Sequence, residues 1–178
     1  MTKPSRRLSA IVTVVASIAI LAGTVSASDG VSAAATGGGH FLFSGFLDVQ
    51  FGFSAVAKAD GSAQGSFHQS YTLDGLTTSY WGTVTCLSVD TVQQRAWIGG
   101  VVTKVQSDDP AARLVGEDVW FRVVDYDDDD PDQDPADRST VLGFTPLFES
   151  SAAYCAGRPW PADDARTWPV IAGNIAVR

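Results

Sequence analysis

From Leu47 to Lys58 the chain alternates: Leu47, Val49, Phe51, Phe53, Ala55 and Ala57 at the odd positions, with Asp48, Gln50, Gly52, Ser54 and Lys58 among the even ones. A period of two belongs to extended backbone, whose successive side chains point to opposite faces. The segment therefore predicts a strand with one buried and one wet face. The Asp60-Gly61 pair after it supplies a tight turn. The next run alternates again, with Phe67, Tyr71 and Leu73 on one side and Ser66, His68, Ser70 and Thr72 on the other. Gln69 is the one polar residue on the apolar side. Asp74-Gly75 is a second turn, and further strand-like runs occupy 76–89, 95–105, 119–126, 139–144 and 169–177.

Beyond residue 27 no stretch keeps an apolar stripe at helical spacing for three turns. The expected fold class is all-β, a single antiparallel β-barrel of about seven to nine strands joined largely by hairpins. The whole chain has 178 residues, 45% of them hydrophobic, enough for one core and hardly for two. Gly52, Gly65, Gly82 and Gly99-Gly100 fall within or beside strands, where a closing sheet must coil. A two-sheet β-sandwich is the alternative. Segments 107–118 and 146–168 read as a linker and as irregular structure.

The first 27 residues read as an address rather than as fold. Lys3, Arg6 and Arg7 precede an uncharged apolar run, Ile11 to Val25, and Val25-Ser26-Ala27 offers small residues for a signal peptidase. That run is shorter than the ~20 residues needed to span a bilayer. A signal peptide over 1–27 is expected, with Ala33-Ala34-Ala35 as a second cleavage option and a twin-arginine signal as the minor export route. Residues 28–39, ending in three glycines, read as a flexible leader, and the β-domain as 40–178. The expected location is secreted, with no membrane span in the mature chain.

Twenty acidic residues face twelve basic ones, and the signal segment holds three of the basic ones. Such a surface excludes a nucleic-acid partner, which needs a basic footprint. The two cysteines, Cys86 and Cys155, are expected to form a disulfide in an oxidising compartment. Neither His40 nor His68 lies at a ligand spacing from a cysteine.

Eight aspartates crowd into Asp125–Asp137. Alternating carboxylates at Asp128, Asp130, Asp132 and Asp134, together with Asp127, are the one candidate metal set, because calcium wants several oxygen ligands. The run lacks the glycine and glutamate of an EF-hand, and a solvated loop tip is the simpler reading. No cofactor fingerprint is present, so calcium is the only ion or cofactor in view. Phe41, Phe43, Phe51, Phe53, Phe67, Tyr71 and Trp97 sit on alternating strands and either fill the core or line a cup for an apolar ligand. Trp160 and Trp168 either pack over a barrel mouth or stack on a carbohydrate. Catalytic residues are not evident: Glu117, Asp118 and Glu149 are the carboxylates to test first as an acid–base pair.

The runs Gly82-Thr-Val-Thr-Cys86, Ala96-Trp-Ile-Gly-Gly100, Val119-Trp-Phe-Arg-Val-Val-Asp125 and Tyr154-Cys-Ala-Gly157 resemble small exported bacterial β-domains of unassigned function. The resemblance spans about 40–178, implies the β framework, and carries over no catalytic residue. The expected function is a secreted, non-catalytic β-domain that binds an extracellular ligand or envelope component, or is structural there. A calcium-binding adhesion module and a secreted hydrolase or isomerase with a barrel pocket are the alternatives.

Overall fold

The computed structural model describes residues 30–126, 136–161, 164 and 166–178. They form nine strands: β1 (Val31–Phe43), β2 (Leu47–Lys58), β3 (Ala63–Leu73), β4 (Leu76–Asp90), β5 (Arg95–Ser107), β6 (Asp118–Val124), β7 (Arg138–Ser139), β8 (Gly143–Phe144) and β9 (Trp168–Val177). One helix, α1 (Ser151–Gly157), lies among the described residues. The fold is all-β, and its strands make one antiparallel sheet in the order β5-β4-β3-β2-β1-β9-β7-β6-β8. An additional pairing of β5 with β6 closes that sheet in a ring.

The alternation in β2 and β3 does what it predicts. Val49, Phe51, Phe53, Ala55 and Phe67 are buried inside the ring. Phe41 meets Phe51, Phe51 meets Phe53, and Phe121 meets both Phe53 and Phe67, at ring-centroid distances of 5.4–6.3 Å. The aromatic cup is therefore a filled core over most of its depth. Trp97 departs from that set: it is fully buried, but in a separate cluster with Trp120 and Tyr154.

That second cluster exists because β6 is covered on both faces. Val119, Phe121 and Val123 point into the ring, whereas Trp120 and Arg122 are buried outside it. Their cover is the segment 146–161, part of the stretch 146–168 expected as irregular, and it contains α1. Ser150 caps the helix by accepting from Ala153 N, and Asp118 accepts from Ser151 N. A Cys86–Cys155 disulfide, with a Cα–Cα distance of 6.2 Å, fastens the helix to β4. Gly99 makes the seating possible: a Cβ there would fall 2.6 Å from Cys86 Sγ and 2.8 Å from Ser151 Cβ.

Two boundaries need correction. The leader expected over 28–39 is strand from Val31 onward, and Gly37, Gly38 and Gly39 pair with both β2 and β9. Glycine weakens an isolated strand, but pairing on both edges overrides that preference. The single strand expected over 139–144 is broken into β7 and β8, which pair with opposite ends of β6. No helix among the described residues is long and apolar enough to cross a membrane.

Candidate functional site

The chain from Thr140 to Phe144 crosses one end of the ring, held there by Gln69. This glutamine, the polar exception on the apolar face of β3, is 4% exposed. Its Nε2 donates to Thr140 O and its Oε1 accepts from Leu142 N. A cavity lies on each side of this strap, and Phe43 and Val141 line both.

The first cavity, about 320 Å³, lies between the strap, the outer face of β6 and the C-terminal segment. Its walls are Phe43, Trp120, Tyr154, Trp160 and Trp168, with Leu147 and Arg166 at an exposed edge. Trp168, at the start of β9, packs on Phe43 at 4.6 Å and lies parallel to Phe41 at 6.3 Å. Trp120 packs between Phe148 and Tyr154, and Phe148 in turn meets Trp160. Arg166 lies 4.7 Å over the Trp160 ring. The buried Arg122 stands behind that ring and donates through Nη1 to Trp160 O. Burial pushes the Tyr154 hydroxyl well above the ordinary tyrosine range, so it stays a neutral phenol.

The second cavity, about 300 Å³, is lined by Leu47, Tyr71, Tyr80, Leu142 and Phe144, with Asp109 and Arg113 at its edge. Tyr80 accepts from Arg113 N, and burial, helped by neighbouring Tyr80, pushes the Tyr71 hydroxyl up to about 12. Exposed apolar side chains ring this same end of the fold: Phe46 on the β1–β2 turn, Leu73 and Leu76 on the β3–β4 turn, Leu114 and Val115 on the β5–β6 connection, and Leu147.

Two of the three carboxylates proposed for acid–base work are occupied elsewhere. Glu117 accepts from Leu114 N and faces Arg113 at 3.6 Å. Asp118 holds the start of α1, and Glu149 is exposed. None of the three lines either cavity. Asp127, Asp128, Asp130, Asp132 and Asp134 lie outside the described residues, and among the described residues no three His, Cys, Asp or Glu side chains converge as a metal site.

Sequence reasoning singled out Phe43, Trp160 and Trp168 but not Trp120, Tyr154 or Arg166. Trp120 sits in a run that reads as strand, yet nothing in that run says its outer face is covered. The usable signal was the paired Trp160 and Trp168 near an apolar strand with no polar alternation. No protein-family model, curated protein or solved structure matches this chain.

Proposed function

We propose that the chain is a secreted, non-catalytic binding module, working outside the cell or at the envelope. Its ring of strands is a β-barrel, and it takes a small, largely apolar ligand between the barrel rim and the C-terminal segment. The observation that carries this reading is the cavity walled by Phe43, Trp120, Trp160 and Trp168, whose volume of about 320 Å³ is at the lower end for ligand sites, ~300–1,000 Å³. Among the described residues its lining offers no carboxylate, imidazole or thiol for catalysis. The exposed apolar tips around the same end suit capture of such a ligand. The Cys86–Cys155 disulfide suits an oxidising compartment.

The test uses the neutral apolar fluorophore N-phenyl-1-naphthylamine. Saturable binding with energy transfer from tryptophan is expected. Leu147→Trp, at an exposed edge of the cavity, should weaken it at least tenfold without altering the fold. No saturable binding, or full binding by the Leu147 variant, overturns the reading.

A further inference from the structure

We infer that the ligand of this cavity is an amphiphile bearing one carboxylate, its apolar part among Phe43, Val141, Leu147 and Trp168 and its anionic head at Arg166. The inference rests on the binding-module reading above and names the chemistry of its ligand.

Arg166 is an uncommitted charge. Among the described residues no carboxylate reaches ion-pair distance of it, and its contact is the Trp160 ring. The nearest described acid in sequence, Asp164, is engaged with Arg95, Arg138 and the Tyr126 hydroxyl. A guanidinium carried on an aromatic face keeps its in-plane N–H donors for a partner, and their fork matches a carboxylate. In a chain of net charge −8, an arginine with no carboxylate partner among the described residues, at the edge of an apolar cavity, is a local exception to the overall field.

Trp120 lines the same cavity. Trp120 is 3% exposed, and no acceptor among the described residues meets its indole N–H. That nitrogen abuts Gly143 on the cavity wall, where a Cβ would fall 2.4 Å from Nε1. The indole edge therefore fills the space that a side chain at residue 143 would take. Among the described residues the rest of the lining is aromatic or aliphatic apart from the Thr140 and Tyr154 hydroxyls, so the remainder of the ligand is apolar.

The experiment titrates the intact chain at neutral pH with octanoate and with 1-octanol, following tryptophan emission and heat. Octanoate is expected to bind at least tenfold more tightly. Arg166→Gln should erase that difference by weakening octanoate, and Arg166→Lys should restore part of it. Equal affinity for acid and alcohol overturns the carboxylate assignment and leaves the apolar site standing. Octanoate binding that Arg166→Gln leaves intact overturns it too. Failure of octanoate and 1-octanol alongside saturable binding of N-phenyl-1-naphthylamine removes only the amphiphile; failure of all three removes both readings.

Discussion

The Oδ2 atom of Asp137 accepts a hydrogen bond of 2.6 Å from the backbone N–H of Ile175. Asp125 does the same for Val177 N at 2.8 Å. The two acids are the first and last of the aspartate-rich run, and they reach β9 where the ring has no full strand to pair with it. β7 meets β9 only through Arg138–Pro169 and Ser139–Trp168. Buried N–H groups further along β9 still need acceptors, and carboxylates replace the absent ladder.

Replacing Asp137 by Asn should therefore cost about 1.5–3 kcal/mol, the range for a hydrogen bond to a charged group. Its two oxygens serve Tyr126 N and Ile175 N, so an amide NH₂ must oppose one donor whichever way it is turned. Urea unfolding of the variant measures the loss. An unchanged midpoint with an unchanged slope contradicts the carboxylate seam.

Cys86→Ser with Cys155→Ser should lower stability by about 4 kcal/mol, since the bridge closes a loop with a sequence separation of 69. Gly99→Ala should fail in a related way even with the cysteines present, because its methyl group collides with Cys86 Sγ and Ser151. Loss of the disulfide in that variant, read by thiol titration, would show that the glycine makes room for the bridge.

The strands of one flank were legible because β2 and β3 bury one face and leave the other wet, which stamps a period of two on residues such as Val49, Phe51 and Phe53. β6 was legible as a strand but not as a doubly buried one: Arg122 reads as surface, and only the fold shows it under Trp160. The glycines at 37–39 read as leader because local preference says nothing of the two neighbours that pair with them. The seven-residue helix α1 is too short to show a periodic stripe and depends on Ser150, Asp118 and the disulfide. The cavity was half legible: its tryptophans stood out, but their convergence comes from contacts such as Phe43–Trp168.

Acid should weaken the C-terminal segment. Burial pushes the Asp164 carboxyl up, but the Tyr126 hydrogen bond and the charges of Arg95 and Arg138 outweigh it, so its pKa lies below 3.8. A carboxyl depressed on folding stabilises above its unfolded pKa, and that stability is lost as pH falls through the lower folded value. Asp164→Asn should flatten the decline in melting temperature below pH 4, by a modest amount because the group is 39% exposed.

Alkali acts through Tyr71. Its hydroxyl rises from 10.0 to about 12, first by burial and then by the neighbouring Tyr80. The folded state then holds a proton that the unfolded state has released, so stability is full below pH 10 and falls between 10 and 12. Tyr71→Phe should remove part of that fall; Tyr154 and Tyr126 shift in the same direction and account for the rest. Melting temperatures at pH 9 and pH 11 for both proteins decide it.

The strap across the ring end gives the sharpest structural test. Gln69 is buried on an apolar face, where leucine would fit the alternation better. Its amide, however, satisfies Leu142 N at 2.8 Å and Thr140 O at 3.3 Å, and Thr140 Oγ1 in turn accepts from Arg122 N. Gln69→Leu gains apolar burial but leaves two strap groups without their partner, a cost of ~1–3 kcal/mol for each one that stays buried. The strap should then lift, exposing Val141 and Leu142 and joining the two cavities they separate. Hydrogen exchange at Leu142 should speed up at least tenfold while the centres of β2 and β3 stay protected. Unchanged exchange at Leu142 would mean that packing of Val141 and Phe144, rather than the glutamine, holds the strap down.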